Sequence, residues 1–497
     1  MKEIMISPLQ LQAATRLQRG HIFSAIIAVY CSATICLSNL SCHLMSSTKT
    51  VHMHSARLLI VSLFFLLPFS INVSAQTSQK EKKAPLLITV DNLSEKLIPQ
   101  VITWRRDFHK HPELGNREFR TSAIVAQYLR SLQLEVTTSV AKTGVIGVLK
   151  GGKPGPVVAL RADIDGLPVA ERNNLDFRSL DSTMYNGQMT AVMHACGHDS
   201  HAAMLMAAAQ ILSSIKADLH GTVKFIFQPA EEGPPAGEEG GARLMVKEGA
   251  LENPKVDVIF GQHISSARKI GTFTYRPGSV AAENDIFKIT VHGKQSHGAS
   301  PWSGIDPIVT ASQMVVALQT IISRNSELTS DAAVITVGSF HAGNRQNIIP
   351  EEAVLTGTIR TLDTSMRNMI WRRLREVVAG IAQSAGATAD VDISMEDAML
   401  VNDPALTQEM LPALQELAGS ENVQLVPAGT GAEDFAYFAQ KVPGFYFETG
   451  ALPPGKKSSE VQHHTPDFMI DENGFIYGVK ALCYLAIQYM NTHSTGK

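Results

Sequence analysis

The sequence predicts an α/β protein in which a larger domain, built on a mixed sheet flanked by helices, carries an inserted α+β domain of the ferredoxin-like type. Three observations lead to this prediction. Strands alternate with helices over 97–283, the order changes to strand, helix, two strands, helix and strand over 284–400, and the first pattern resumes over 401–497. Alternation is typical of a sheet covered by helices, whereas the second order is that of a ferredoxin-like unit. Because the first pattern returns, we expect the second domain to be an insertion.

The larger domain begins with two predicted helices. The first has helical spacing from Leu93 and breaks at Pro112, and the second covers "EFRTSAIVAQYLRSL". A third helix, "HAAMLMAAAQILSSI", is predicted from its Ala, Leu and Met content. Apolar runs predict four strands, which are "TGVIGVLKG", "PVVALRADID", "GTVKFIFQPAEEG" and "VDVIFGQHI". Three of these strands end in polar residues, so we expect chemistry at that edge of the sheet.

The inserted domain is predicted from six consecutive segments. They are "DIFKITVHG", "DPIVTASQMVVALQTIIS", "AVITVGSFHAG", "EAVLTGTIRTL", "MRNMIWRRLREVVAGIAQSAG" and "TADVDISME". The second and fifth have the spacing of amphipathic helices and the others are β-branched strands. The alternating pattern resumes in "VPAGTGAEDFAYFAQKVPGFYFETG". We therefore place 97–283 and 401–497 in one domain and 284–400 in the other.

The first 75 residues form a leader. The apolar run "LLIVSLFFLLPFSINVSA" follows Arg57 and ends in small residues, so 53–75 is predicted to be a signal peptide cleaved after Ala75. Translation can also begin at Met53, in which case 1–52 is not translated. The alternative is a membrane anchor formed by the earlier apolar run "IFSAIIAVYC". A signal peptide predicts a periplasmic or secreted protein, with 76–96 as a polar linker.

Composition excludes one class of function. The net charge is −3 over 497 residues and Lys and Arg are not clustered in the body of the chain, so a nucleic-acid partner is not expected. Three of the five cysteines, Cys31, Cys36 and Cys42, lie in the leader. Cys483 lies in the apolar stretch "ALCYLAIQYM" and is predicted to be a core residue, whereas Cys196 lies among histidines.

Four places offer ligands for a metal ion. They are Cys196 and His198 in "MHACGHDSH", the acidic pair in "FQPAEEG", the histidine in "FGQH", and the two histidines in "VQHHTPDF". Imidazole, thiolate and carboxylate together suit a borderline-soft divalent ion such as Zn, Co, Ni or Mn. Five ligands exceed what one catalytic ion needs, so two ions that share a ligand fit better. Taken alone, the acidic pair would be interpreted as exposed carboxylates of a loop, which are common.

The chain resembles the amidohydrolase branch of the aminoacylase and carboxypeptidase-G family of co-catalytic metallopeptidases. This branch includes hippurate hydrolases, N-acyl-amino-acid amidohydrolases and plant auxin-amino-acid hydrolases. The resemblance starts near Ile98 and rests on an ordered series of segments, which are "RRDFHKHPELGNREFRT", "LRADIDGLPV", "MHACGHDSH", "FQPAEEG", "HGASPWSGIDPI", "NIIPEEAVLTGTIRTLD", "GAEDFAYF" and "HHTPDF". It implies a zinc-peptidase-like catalytic domain, an inserted lid, and a homodimer formed through the lid.

The resemblance implies a ligand set for two divalent ions. The residues that match the family's five ligands are Cys196, His198, Glu232, His263 and His464. Cys196 matches the bridging ligand, and His464 is preferred to His463 because the family places the ligand directly before Ser/Thr-Pro. The metal is one of Mn, Zn, Co and Ni.

The resemblance also implies roles around the ions. Glu231 matches the general base, and Asp165 matches the carboxylate that orients the site. His297 matches a lid histidine that, in related dimers, reaches the partner's site and stabilises the oxyanion. Asn347 and Arg360 resemble lid residues that hold the substrate's carboxylate. For Arg360 a plain surface position on a strand is the alternative.

These residues imply a metal-dependent amidohydrolase that cleaves N-acyl or aromatic-acyl amino acids into a carboxylic acid and a free amino acid. One alternative is a metallo-exopeptidase that acts on dipeptides, in which Glu238 or Glu239 would supply an acidic group for the free amine. Another is a non-catalytic binding protein, which would be expected to lack Glu231 or some ligands. The Pro- and Glu-rich run in "EEGPPAGEEGGARLM" departs from the family and leaves the substrate open.

Overall fold

The computed structural model describes residues 83–494. The predicted signal peptide 53–75, the alternative start at Met53, the alternative anchor and the three leader cysteines lie outside these residues. Cys483, predicted to be a core residue, is fully buried.

The larger domain is built on an eight-stranded mixed sheet with the order β1-β2-β6-β3-β7-β18-β8-β17. Strands β6, β3, β7 and β18 are parallel to one another at its centre. The bounds of its strands are β1 Glu135–Val140, β2 Gly144–Lys150, β3 Lys153–Asp163, β6 His220–Gln228, β7 Val258–Ser265, β8 Phe273–Tyr275, β17 Val423–Leu425 and β18 Gly444–Gly450. This confirms the sheet covered by helices that the alternating pattern predicts, and its mixed strand directions agree with the fold that the resemblance implies. An isolated hairpin, β4 Ser182–Tyr185 with β5 Gln188–Ala191, was not predicted.

Helices cover both faces of this sheet. They are α1 Pro85–Lys110, α2 Phe119–Ser131, α3 His198–Ser214, α4 Gly241–Lys247, α7 Pro404–Ala418, α8 Ala436–Ala439 and α9 Phe475–Thr492. Side chains alternate along β6, so that Phe225 packs in the core shared with α1, α3 and α9, while Ile226 packs against α4 and α8. A strand buried on both faces accounts for the continuous apolar runs in the sequence. None of the helices in residues 83–494 is long and apolar enough to cross a membrane.

The first helix is longer than expected. It begins at Pro85, so the part of 76–96 from Pro85 onward is helical and the prediction of a linker there was wrong. Proline is favoured in the first turn of a helix, and Leu87 and Val90 are buried in the core. Asp91 also accepts a hydrogen bond from the hydroxyl of Tyr484 on α9, at 3.0 Å. Tertiary packing therefore makes this segment part of the domain.

The inserted region forms a four-stranded antiparallel sheet with the order β12-β14-β10-β15. Its elements are β10 Glu283–His292, α5 Pro307–Thr320, β12 Ala333–Ala342, β14 Glu352–Thr361, α6 Thr364–Ser384 and β15 Thr388–Asp397, with a short pair β11 Ser296–His297 and β13 Ile348–Ile349. Both long helices begin at an aspartate whose side chain accepts from the first-turn backbone. They pack on one face of the sheet. This is the ferredoxin-like order that the sequence predicts.

The two connections to the inserted sheet run side by side. They are β9 Gly278–Ala281 and β16 Leu400–Asn402, which pair antiparallel. The chain therefore enters and leaves the insertion at the same place.

Candidate metal centre

The predicted ligands lie at one edge of the large sheet, where its central parallel strands end. Glu231 and Glu232 follow β6, His263 lies near the end of β7, and His198 opens α3. His464 reaches this edge on a loop whose backbone N–H donates to the carbonyl of Ala195, at 2.9 Å. Parallel strands gather their carboxyl ends at one edge, which explains why residues distant in the sequence converge there.

Three of the turns that carry these residues contain a left-handed backbone position. They are Gly197 (φ 94°), Ala230 (φ 50°) and His464 itself (φ 62°). A Cβ at position 197 would lie only 2.5 Å from a methyl carbon of Ile264, so this turn requires glycine. Such positions cost free energy and are concentrated at functional sites, where surrounding contacts hold them.

Cys196 lies at the centre of the cluster. Its Sγ is 3.3 Å from Nε2 of His263 and 3.3 Å from Nε2 of His464. Nε2 of His464 is also 3.1 Å from Oε1 of Glu232. Cys196 belongs to two groups of close ligand atoms, one with His198 and Glu232 and one with His263 and His463, as expected of a residue shared between two sites.

The fit of the cluster to metal ions can be tested from its hydrogen bonds. Nε2 of His198 is buried without a hydrogen-bond partner among residues 83–494. It lies 3.9 Å from Oε1 of Glu232, a buried oxygen that also has Nε2 of His464 at 3.1 Å. The other atoms of both residues are held by Asp165, which lies 3.1 Å from Nδ1 of His198 and accepts from the backbone N–H of Glu232 at 3.0 Å. A buried imidazole nitrogen without a partner is costly, and a cation between His198 and Glu232 would give this nitrogen a partner and the carboxylate a counter-charge. The residues therefore fit a metal ion.

A further histidine nearby has no free nitrogen. Nδ1 of His201 lies 2.5 Å from Asp163, and its Nε2 accepts from the backbone N–H of Ile264 at 2.8 Å. His201 thus braces the strand β7 that carries His263, and it is a supporting residue, not a ligand.

The protonation of the cluster also suits cations. Burial, followed by the charges of Glu232 and Glu231, raises the pKa of the Cys196 thiol well above its usual range, so its thiolate requires nearby positive charge. Burial lowers the pKa of His263 to about 4, which keeps this imidazole neutral and able to coordinate. Burial, together with Glu433 and Glu232, raises the pKa of the Glu231 carboxyl well above its usual range, which favours proton uptake.

A buried ionic network lies behind Glu231. Arg161 on β3 contacts Asp163 at 2.7 Å, Glu433 at 3.0 Å and Asp434 at 3.1 Å. Glu433 also accepts from the hydroxyl of Tyr446. One guanidinium with bonded carboxylates on several sides fixes the floor of the site in a single geometry.

The cluster opens into a cavity of about 970 Å³. Its walls come from the large domain on one side and from the inserted sheet on the other, where Asn284 and Arg360 line it. This volume is large enough for a small organic substrate. A cavity of about 220 Å³ adjoins it and shares Glu231 in its wall.

Comparison with known proteins identifies the family. Residues 159–488 match the family described as Peptidase family M20/M25/M40. The chain belongs to this family.

Two curated relatives and one solved structure illustrate the membership. Thermostable carboxypeptidase 2 of Saccharolobus solfataricus is 40% identical over 394 residues, covering 79% of this chain and 95% of its own. N-acetyl-L-cysteine deacetylase of Bacillus subtilis is 36% identical over 399 residues, covering 80% and 88%. A dinuclear metal-binding M20 peptidase from Bacillus subtilis is 34% identical with a TM-score of 0.67, covering 80% of this chain and 99% of that one. The M20 chain is therefore a hydrolase of amide bonds with a two-metal site.

Two of the predicted site residues of this M20 protein lie away from the cluster. His297 is exposed on β11, and its Nδ1 accepts from the backbone N–H of Ala299 at 2.9 Å. Asn347 lies beside it, because its carbonyl accepts from the backbone N–H of Gly298 at 2.8 Å. Neither residue lines the 970 Å³ cavity, whereas Arg360 does. The structure thus brings His297 and Asn347 together but leaves them apart from the ligands of the same subunit.

The two acidic residues suggested for a free amine already have cationic partners. Glu238 contacts Nη2 of Arg117 at 2.6 Å and also contacts Lys142, and Glu239 contacts Lys247 at 2.7 Å. They line the smaller cavity, not the larger one. The interpretation that either provides a free acidic group for an amine was wrong.

Sequence reasoning missed several residues of this site. "LRADID" contains Asp163 two positions before Asp165, and "GAEDF" contains Glu433 and Asp434. Of these four residues, only Asp165 received a role. The useful signal was an arginine within an apolar strand, since Arg161 must find carboxylates when it is buried. His463, set aside in favour of His464, has its Nδ1 3.7 Å from Sγ of Cys196.

Proposed function

We propose that the protein is a two-metal amidohydrolase that cleaves N-acyl and aromatic-acyl amino acids into a carboxylic acid and a free amino acid. The observation that carries this proposal is the position of Glu231. Its carboxylate lies 3.8 Å from Nε2 of His198, beside the ligand cluster and in the wall of the 970 Å³ cavity. A proton acceptor, a ligand cluster and a substrate-sized space therefore meet at one point. One relative is named N-acetyl-L-cysteine deacetylase, which supports the proposal that the substrate carries an N-acyl group.

The reaction follows from the residues of the site. Cys196, His198, Glu232, His263 and His464 would hold two divalent ions, which would polarise the amide carbonyl and lower the pKa of the attacking water. Glu231 accepts the proton of that water as it attacks. The same carboxyl then donates the proton to the leaving nitrogen, so that one group serves as base and then as acid. Asp165 holds His198 and Glu232 in place throughout.

Arg360 is proposed to bind the substrate's carboxylate. It lies on the face of the inserted sheet that is opposite the helices, paired in register with Asn284, and both residues line the cavity. Within the described residues, Arg360 has no carboxylate within ion-pair distance, so its guanidinium is available for a bidentate contact with a substrate. The inserted domain thus acts as a lid that carries the specificity contact.

The protein is proposed to act as a homodimer through the lid. Val309 and Val316 on α5 are 54% and 71% exposed, and the neighbouring edge strand β12 exposes Val334 and Phe340. An apolar helix face beside an open sheet edge is a surface that a second copy can cover. In that arrangement, His297 of the partner subunit stabilises the oxyanion and Asn347 beside it contacts the substrate, which accounts for their distance from the ligands of their own subunit.

We also propose that the leader directs export of the enzyme from the cytoplasm. The apolar run that ends at Ala75 supports a cleaved signal and a periplasmic or secreted enzyme, with a membrane anchor as the alternative.

A metallo-exopeptidase is the second candidate, and the carboxypeptidase among the relatives favours it. An exopeptidase that binds a free amine needs an acidic group in the main cavity. Away from the ligand cluster, the cavity is lined by Glu396, Asp397 and Glu448. Asp397 accepts from Asn284 at 2.9 Å and Glu448 accepts from Thr274 at 2.7 Å, so Glu396 is the carboxylate that an exopeptidase would use for a free amine.

The test is hydrolysis by the purified protein, stripped of metal and reloaded with Mn, Zn, Co or Ni, on matched pairs of N-acyl amino acids and dipeptides. The two members of each pair release the same amino acid. The ratio of their kcat/KM values therefore reports only the effect of the acyl or aminoacyl group. We expect metal-dependent release of the amino acid with the N-acyl member preferred. Preference for dipeptides would establish the exopeptidase, and two bound metals without turnover on either series would contradict both.

A further inference from the structure

Three imidazoles surround the sulfur of Cys196, although only two of them are assigned as ligands. His263 and His464 each present Nε2 to Sγ at 3.3 Å. His463 presents Nδ1 to the same sulfur at 3.7 Å. The third ring therefore needs a role of its own.

The hydrogen bond at the far nitrogen decides what each ring can offer to the sulfur. Nδ1 of His263 lies 2.6 Å from the carbonyl of Ile264, which can only accept, so this nitrogen carries the proton and Nε2 keeps its lone pair. Nε2 of His463 lies 3.2 Å from the backbone N–H of Ser266, which can only donate. In a neutral ring the proton of His463 is therefore on Nδ1, and it faces Cys196.

We infer that His463 is not a metal ligand but a positioning residue, which donates its Nδ1–H to the sulfur of Cys196. A nitrogen that carries a proton has no lone pair for a metal ion. A hydrogen bond to a coordinating thiolate withdraws electron density from sulfur and tunes the bond between sulfur and metal. This inference rests on the ligand role proposed for Cys196.

The surroundings of His463 hold the ring in this orientation. Its centroid lies 4.6 Å from that of Phe468 and 5.2 Å from that of His263, so the ring packs between two others. The left-handed backbone of His464 lets two consecutive residues both face Cys196. The adjacent histidines thus divide the work, one as ligand to the metal and one as donor to the bridging sulfur.

Two substitutions test the contacts of the two ring nitrogens of His463 one at a time. In His463→Asn the amide nitrogen can take the place of Nδ1 and donate to Cys196, whereas the contact with Ser266 is lost. In His463→Gln the amide oxygen can take the place of Nε2 and accept from Ser266, whereas the donor to Cys196 is lost. The pair is matched in chemistry and differs in which contact survives.

The measurement is the thiolate-to-cobalt charge-transfer band of the cobalt-loaded full chain, read with cobalt stoichiometry. We expect wild type and His463→Asn to share the band position, and His463→Gln to show it at lower energy with two cobalt ions still bound. Loss of one ion, or altered d–d bands, in both variants would make His463 a ligand and overturn the inference. An unmoved band in His463→Gln would also overturn it. A wild type with two cobalt ions and no thiolate band would instead refute the ligand role of Cys196.

A second measurement does not depend on variants that fold. In the zinc-loaded full chain with ¹⁵N-labelled histidine, we expect His463 to show a directly bonded proton on Nδ1 and an unprotonated Nε2. A proton on Nε2 with a metal-shifted Nδ1 would overturn the inference.

Discussion

Nε2 of His198 and Oε1 of Glu232 lie 3.9 Å apart, and the imidazole nitrogen has no hydrogen-bond partner among residues 83–494. Both residues are fixed by the same carboxylate, that of Asp165. Asp165 thus holds two potential ligand atoms in place. We therefore expect folding stability to depend on a bound cation.

Metal removal is expected to destabilise the fold. A ligand at 1,000 times its Kd stabilises the native state by about 4 kcal/mol, so chelation should lower Tm by several degrees, and reloading should restore it. His198→Gln should reduce this metal-dependent shift in differential scanning calorimetry. His292→Gln, a lid histidine outside the cavity, is the control and should keep the full shift. Equal shifts in both variants would exclude His198 from the site.

Glu231→Gln is expected to lower kcat by about 10²–10⁴-fold, because the substitution removes the proton acceptor while it preserves the size of the side chain. Metal content, measured by elemental analysis, should stay at the wild-type value. Glu239→Gln, which removes an exposed carboxylate paired with Lys247, is the matched control and should retain activity. Loss of metal in Glu231→Gln would show that the residue is a ligand instead.

If the protein is the proposed dimer, Val316→Asp is expected to convert it to a monomer, because the substitution places a charge on the exposed apolar face of α5. Light scattering after size-exclusion chromatography measures the mass. Activity should fall with dissociation, since His297 would no longer reach a partner's site. The same change at Ile88, a half-exposed position on α1, should leave mass and activity unchanged. A fully active monomer would refute the role of the partner.

Asp199→Asn is expected to destabilise the protein near neutral pH. In acid, the difference in unfolding free energy between the variant and wild type should become smaller. The side chain of Asp199 contacts Arg105 at 3.0 Å and His109 at 2.7 Å in the core. Burial acts to raise the pKa of Asp199, but Arg105 and His109 outweigh it and hold the pKa well below its usual range. Because the folded pKa is depressed, this stabilisation is fully present above the unfolded pKa of about 3.9 and is lost as pH falls through the folded pKa.

Urea midpoints from neutral to strongly acidic pH measure this effect. Breaking a buried ion pair costs about 3–5 kcal/mol, so the variant should unfold at clearly lower urea above pH about 5. Asp107→Asn, which breaks the exposed pair with Arg120, is the control and should cost about 0–1 kcal/mol. A gap between Asp199→Asn and wild type that stays constant into acid would contradict the assigned pKa direction.

Expression of the full chain in a bacterial host that exports proteins is expected to yield a mature form that starts at Gln76. Mass spectrometry of the periplasmic fraction measures this. Retention of an uncleaved chain in the membrane fraction would favour the anchor, and replacing Ala75 with a bulky residue should block cleavage if the predicted site is right.

The sequence predicted the fold well where period and position carry the information. Strand ends bearing His263 and the acidic pair converge because parallel strands share an edge, and this follows from element order alone. The sequence did not predict which histidines keep a ring nitrogen available for a metal ion. His198 and His201 are one helical turn apart, and only their hydrogen bonds distinguish the predicted ligand from the supporting residue. His198 uses one nitrogen for Asp165 and keeps the other available, whereas His201 uses both, for Asp163 and for the backbone of Ile264. Those partners come from other strands.

The residues of the lid illustrate a second limit. Motif order placed His297 and Arg360 in one domain, but only the register of β14 with β10 shows that Arg360 sits beside Asn284 in the wall of the cavity. The short pairing of β11 with β13 directs His297 elsewhere. Register depends on long-range pairing, which local patterns leave open.

The antiparallel pairing of β9 with β16 has a consequence for how such chains diversify. Leu400 lies opposite Ala281, so the ends of the insertion are neighbours in space. A segment whose ends meet can be exchanged as a cassette, because the host sheet keeps its own pairings whatever the cassette contains. If the lid carries the substrate contact and the dimer contact, as proposed, replacing 282–399 by the corresponding lid of a relative would transplant substrate preference and assembly state together. Recombination at this ribbon would then give the scaffold a route to new substrates that leaves its ion ligands in place.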